Sequence, residues 1–150
     1  MKLLVQRVKE ANVKVDNKTV GQIEKGFLVL VGITHNDTVK EADYLAKKLI
    51  NLRVFEDENQ KMNLNIKDIE GKLLIVSQFT LYANCGSGNR PSFTDAAKPD
   101  MAEKLYEYFC KKCSEYDIEV QKGIFGADMK VQLINDGPVT ILLEKNSNIC

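Results

Sequence analysis

The order of elements legible in this chain predicts an α+β fold: curved antiparallel and mixed sheets forming a barrel-like core, with two amphipathic helices packed on them. Three observations carry that expectation. Two strongly apolar runs, Phe27 to Ile33 and Lys72 to Leu81, read as strands, the first covered on both faces. Stretches beginning at Val39 and Pro99 repeat apolar residues at three- to four-residue spacing, as helices with one buried face do. Shorter strand-like segments lie before, between and after these, so the order is strands, helix, strands, helix, strands, not regular βαβ alternation. The 150 residues, 44% hydrophobic, suit one domain over 1–150.

The chain opens with apolar residues from 3 to 8. The segment Asn12 to Asp16 alternates with period two, and Asn17-Lys18 supplies a turn before Thr19 to Glu24, which together read as an antiparallel meander. Gly26 precedes the first buried strand. Thr38-Val39-Lys40-Glu41 matches a capping box, and Val39, Ala42, Leu45 or Ala46, and Leu49 form the stripe of the first helix. Arg53 to Phe55 reads as a short strand, Asp57 to Lys61 as a polar turn, and Met62 to Ile66 as an alternating strand. Gly71 then opens the second buried strand.

Residues 83–98 form a Gly/Asn/Ser-rich loop, long enough inside a compact domain to suggest function. Pro99 suits a first helical turn, and Met101, Ala102, Leu105, Phe109 and Cys113 mark the second helix, to about Tyr116. Ile118 to Lys122, Met129 to Ile134 and Val139 to Leu143 read as strands, with Gly137-Pro138 in a turn joining the last two. The tail from Lys145 to Cys150 is polar and expected to fray.

Lys plus Arg and Asp plus Glu both total 21, which excludes a generally basic nucleic-acid coat and an acidic disordered tail. No apolar run approaches the roughly 20 residues a membrane helix needs. The start, MKLLVQRVKE, is interrupted by Gln6, Arg7, Lys9 and Glu10, so it lacks a secretory core and a cytoplasmic location is expected. Cys85, Cys110, Cys113 and Cys150 are then expected as free thiols. Cys110 and Cys113 have the spacing of a zinc or redox pair, but no second pair and no paired histidine follows, so they read as helix cysteines. The sole histidine, His35, sits in the turn Thr34 to Asp37, so any Ser-His or Cys-His mechanism has to use it. Its neighbours suit a surface turn better.

Chemistry is expected where polar residues break the core pattern. Ser77, Gln78, Phe79 and Thr80 end a buried strand. Thr80 offers a hydroxyl nucleophile without an obvious base, backbone N–H groups aided by Gln78 offer electrostatic stabilisation of a carbonyl oxygen, and a plain strand edge is the third reading. In Asn135 to Thr140, the glycine of Gly137-Pro138 allows carbonyls to point the same way into a site, whereas an ordinary trans-proline hairpin is the simpler reading. Arg90, with Asn89 and Ser92, suits a phosphate or ribose contact, and Phe93 suits base stacking.

The sequence SQFTL at 77–81, followed by NDGPVT at 135–140, resembles the D-aminoacyl-tRNA deacylase family. Similarity extends to VQRV at 5–8, KMNLNI at 61–66, RPSF at 90–93 and FGADMKV at 125–131. The resemblance implies a homodimer with its active site at the subunit interface. It implies a cis Gly137-Pro138 peptide projecting into the other subunit's pocket, where its carbonyls meet the substrate's α-amino group and its backbone rejects an L side chain. D-aminoacyl-tRNA is then the substrate, and glycyl-tRNA, with no side chain to reject, is expected as well. Hydrolysis is implied to use the tRNA's terminal 2′-hydroxyl, with backbone N–H groups around Gln78, Phe79 and Thr80 holding the carbonyl and Thr80 in a positioning role. Phe125 and Met129, with the Gly126-Ala127 backbone, are implied to lie near the terminal adenosine of the CCA end. No metal and no cofactor is called for.

Two other readings compete. A non-catalytic module binding the RNA acceptor end needs stacking platforms and a basic groove. A thiol enzyme built on Cys110 and Cys113 is abolished by alkylation, whereas the deacylase is not.

Overall fold

The computed structural model describes residues 1–147; the last three positions, with Cys150 and the end of the tail expected to fray, lie outside the described residues. Eight strands and two helices follow one another: β1 Lys2–Val15, β2 Lys18–Ile23, β3 Gly26–Gly32, α1 Val39–Ile50, β4 Phe55–Glu56, β5 Met62–Leu64, β6 Lys72–Ser77, α2 Pro99–Ser114, β7 Val120–Lys122 and β8 Lys130–Glu144. The main sheet runs β2-β1-β3-β6-β7, with β8 on the other side of β1, and β4 pairs with β5 apart from it. β1 is antiparallel to β2, β3 and β8, whereas β3, β6 and β7 are mutually parallel through crossovers. The sheet curls until β2 meets β7: a Cβ on Gly21 would lie 2.7 Å from the Lys122 carbonyl oxygen. The expected α+β class with a nearly closed, barrel-like mixed sheet is what forms.

The apolar runs explain the two-sided core. Phe27, Val29 and Val31 of β3 and Leu73 and Ile75 of β6 face the helices. Leu28, Leu74 and Val76, on the alternate faces, join Val8, Ala11, Val13 and Ile23 in a second cluster inside the curled sheet. Helix α1 begins as its sequence dictates. The Thr38 hydroxyl accepts from the Lys40 amide at 3.2 Å, and the Thr38 amide donates to Glu41 Oε2 at 2.8 Å.

Four local expectations are corrected. The first two strand segments are one strand, β1. Its pairing with β8 shifts register around Arg7 and Val8, so Leu3 and Val5 serve the helix-side core, while Val8, Ala11 and Val13 serve the other. The strand expected to reach Leu81 stops at Ser77, and Phe79–Tyr82 forms a 3₁₀ turn. Gly137-Pro138 joins no pair of strands but lies within β8, and α2 ends at Ser114, short of Tyr116. The tail's start is anchored, because the Lys145 amide donates to the Met1 carbonyl at 3.0 Å.

Candidate active site

Adjacent parallel strands β3 and β6 end together, and a cleft of about 630 Å³ opens beyond their carboxyl ends. Val31, Ile33 and Val76 give it an apolar wall. Ser77, Gln78 and Phe79 enter from the end of β6, and Phe125 and Met129 from the segment between β7 and β8. Phe93, Gly126 and Ala127 line it too, so eight residues expected from the sequence share one cavity. Phe125 is backed by a rigid neighbour: its ring centroid lies 5.9 Å from that of Tyr106, whose hydroxyl donates to the Ile75 carbonyl at 2.7 Å. Met129 closes over Gly123, where a Cβ would stand 2.5 Å from its sulfur.

The turn after β6 is where backbone polarity becomes available. The Gln78 amide makes one more ladder bond, donating to the Val31 carbonyl at 2.8 Å, and the Leu81 amide then donates to the Gln78 carbonyl at 3.3 Å. Phe79 and Thr80 open the 3₁₀ turn, so their N–H groups have no acceptor within it. This turn seats tightly because Gly32 lies beneath it; a Cβ there would come within 2.8 Å of Leu81 Cβ. The Gln78 side chain donates from Nε2 to Thr80 Oγ1 at 2.5 Å. That bond occupies a lone pair of the hydroxyl a nucleophile would need, while His35 is committed elsewhere, its Nε2 lying 2.6 Å from the Thr94 carbonyl. Thr80 itself is exposed and does not line the cleft.

Gly137 and Pro138 lie apart from this cavity. In the β1–β8 ladder Gln6 pairs with Thr140 and Val8 with Asn135, so Arg7 alone faces the stretch from Asp136 to Val139, which bulges outward with a cis Gly137-Pro138 peptide. Arg7 is 6% exposed, donating from Nε to the Asp136 carbonyl at 2.7 Å and from Nη1 to the Val54 carbonyl at 2.6 Å. Asn135 clasps the bulge's far end, its Oδ1 accepting from the Val139 amide at 2.7 Å. Gly137 adopts φ +145, and a Cβ would press Val139 Cγ2 at 2.8 Å and Arg7 Nη2 at 3.1 Å, so this position needs glycine. Both Gly137 and Pro138 are exposed.

Arg90 sits in the exposed loop and is not part of the cleft. Sequence reasoning missed Arg7, whose signal was a charge in register with the buried Leu3 and Val5. It also missed Lys98, Ala96 and Ala97, which reach the cleft through a long-range pairing, Thr34 with Ala96, that no local pattern announces. Burial disfavours the thiolate at both helix cysteines: desolvation pushes Cys110 up to about 12 and raises Cys113 as well. No helix is long and apolar enough to cross a membrane among the described residues.

Comparison with known proteins accords with this geometry. A family model described as D-Tyr-tRNA(Tyr) deacylase matches residues 4–144. A D-aminoacyl-tRNA deacylase of Fusobacterium nucleatum is 59% identical over 150 residues, covering 99% of each chain. Another from Geotalea uraniireducens is 60% identical over 148 residues, 99% of this chain and 96% of that one. Among solved structures, one described as c-Myc DNA Unwinding Element Binding Protein superposes with TM-score 0.90 at 41% identity, covering 98% of this chain and 100% of that one. Matched along nearly its whole length by relatives that share one activity, this chain belongs to the D-aminoacyl-tRNA deacylases, enzymes that hydrolyse D-aminoacyl-tRNA.

Proposed function

We propose that the enzyme proofreads chirality by a main-chain device assembled from two copies of the chain. The terminal adenosine of the CCA end enters the cleft against Phe125 and Met129, and the ester carbonyl meets the Phe79 and Thr80 N–H groups, with Ser77 and Gln78 shaping the site. The Gln78 amide takes no part, because Val31 already holds it. Oxyanion donors of this kind supply roughly 3–4 kcal/mol each, enough for a labile ester once orientation is fixed. The tRNA's 2′-hydroxyl assists attack by water, Thr80 positions, and no cofactor or metal is called for.

The observation that carries this reading is a separation. The cleft gathers Ser77, Gln78, Phe79, Phe125 and Met129, while the rigidly held Gly137-Pro138 bulge projects from β8 outside it. A second copy supplies the missing wall: its Gly137-Pro138 backbone receives the α-amino group and excludes an L side chain. Two features of β8 support pairing. Its outer edge has no partner strand among the described residues, and Ile134 and Leu142 on it are half exposed apolar side chains. Glycyl-tRNA passes the same filter. A site open to any CCA end fits a chain of zero net charge acting as one domain over 1–150 in the cytoplasm, with Arg90 at the periphery of the bound tRNA.

Mixing two variants tests the assembly. Pro138→Ala spoils the wedge and Phe79→Pro the amide pair; each homodimer is impaired, whereas a mixed dimer holds one intact site. Equal mixing restores about a quarter of wild-type selective turnover if the wedge acts across the interface. No restoration means that each subunit builds its site alone.

A further inference from the structure

The single histidine finds no place in the chemistry above, yet its bonding is specific. Its ring nitrogen Nε2 lies 2.6 Å from the Thr94 carbonyl, and since a carbonyl only accepts, Nε2 carries the proton and donates. Beside it Thr34 Oγ1 donates to the Asp95 carbonyl at 2.6 Å, Thr34 bridges Ala96, and the Ala97 amide donates to the Ile33 carbonyl at 2.9 Å. The Thr34–His35 turn is itself fixed, because Asp37 Oδ2 accepts from the Thr34 amide at 2.8 Å and Oδ1 from the Met1 ammonium at 2.6 Å. A long loop thus hangs from an anchored turn.

What hangs there is one wall of the cleft. Phe93, adjacent to Thr94, lines it together with Ala96, Ala97 and Lys98. The Phe93 ring is 40% exposed and meets the 58% exposed Phe79 ring edge to face at 5.2 Å. Two exposed aromatic rings on a cavity with a lysine beside them suit a nucleobase and its phosphate. Neither ring is buried by the fold: Phe79 stands on its 3₁₀ turn, and Phe93 is held between the backbone pairing of Ser92 with Asn84 on one side and the His35 tether at Thr94 on the other.

We propose that His35 is a positioning residue for substrate binding: through Thr94 it holds Phe93 as a stacking wall for the nucleotide end of the substrate. This rests on the reading that the cleft takes that end. The donor is the Nε2–H, present in one neutral tautomer and in the cation, so the clamp does not require a charged ring.

The test measures steady-state release of D-tyrosine from D-Tyr-tRNA, with calorimetric binding of the dinucleotide CpA as a second arm. His35→Ala raises KM and weakens CpA binding about five- to tenfold, with kcat within about twofold of wild type, and Phe93→Ala does the same. His35→Gln, whose amide also donates, restores both, and the double alanine variant is no worse than Phe93→Ala alone. Unchanged KM and CpA binding, a loss confined to kcat, additive losses, or no rescue by glutamine overturns the proposal. Wild type that binds CpA but releases no tyrosine refutes the functional reading instead, and the CpA arm then decides the role of His35. Wild type that does not bind CpA overturns the proposal as well.

Discussion

The Arg7 guanidinium donates to the Asp136 carbonyl at 2.7 Å, so a buried cation on β1 holds the bulge of β8 by its backbone rather than by a carboxylate. The same group reaches Val54 at 2.6 Å, so two segments far apart in sequence are tied to one planar fork. A lysine cannot present two fixed donors in this way. Arg7→Lys is expected to lower stability by about 1–3 kcal/mol, through a carbonyl left without its donor. It is also expected to reduce the preference for D- over L-Tyr-tRNA more than it reduces turnover of the D substrate. Denaturant titration and paired deacylation rates check both; unchanged selectivity in a folded variant means that Arg7 does not set the wedge.

The amide pair and the Thr80 hydroxyl separate cleanly by mutation. Phe79→Pro removes one N–H at the first position of the 3₁₀ turn, where proline is tolerated, and is expected to lower kcat about 10²–10³-fold. Phe79→Leu keeps the N–H and Thr80→Ala keeps both amides, so each stays within about threefold to fivefold of wild type. Loss of all activity in a folded Thr80→Ala protein makes the hydroxyl the nucleophile.

Gly32 tests the seating of the same turn. Because a Cβ there meets Leu81 Cβ at 2.8 Å, Gly32→Ala must displace the turn or strain β3. The expected result is a kcat about tenfold lower or more, at a stability cost of about 1–3 kcal/mol. A variant with wild-type kcat shows that the turn's position is not critical.

Thiol reagents distinguish the enzyme from a cysteine-dependent one. With its pKa near 12, Cys110 carries about one thiolate in 10⁴ at pH 8, and Cys113 is raised too. Iodoacetamide is therefore expected to label Cys85 in the folded protein, spare Cys110 and Cys113 by mass spectrometry, and leave deacylation intact. Inactivation in step with modification of Cys110 or Cys113 contradicts this.

The capping box of α1 sets a pH signature. Burial alone raises the Glu41 carboxyl, but hydrogen bonds from the Thr38 hydroxyl and amide more than offset it, leaving the group below its ordinary value. A depressed folded pKa contributes stability above the ordinary carboxylate range and loses it as pH falls through the folded value. The stability gap between wild type and Glu41→Gln should therefore narrow on acidification. A gap independent of pH shows that the charge contributes nothing.

The fold was legible where local pattern and burial agree. Phe27 to Val31 is apolar on both faces because both faces are covered, and Thr38 with Glu41 caps the helix it announces. It was illegible where distant partners decide. Lys72 to Leu81 looks like one strand, but Gln78 makes its last ladder bond to Val31 and the chain then turns. Gly137-Pro138 carries the chemistry of a turn, yet β1 pairs with both flanks and makes it a bulge. In the site, Phe125 and Met129 came from resemblance, whereas Lys98 and the tether from His35 arise from pairing across about 60 residues, which no spacing encodes.

The proposed wedge judges the substrate's handedness with main chain, and not with a titrating side chain. Matched D- and L-Tyr-tRNA, incubated with wild type and with Pro138→Ala, test it most directly. Wild type is expected to release D-tyrosine rapidly and L-tyrosine negligibly, with the ratio collapsing in the variant as L-Tyr-tRNA gains entry. Equal turnover of both enantiomers by wild type, or undiminished selectivity in Pro138→Ala, contradicts it.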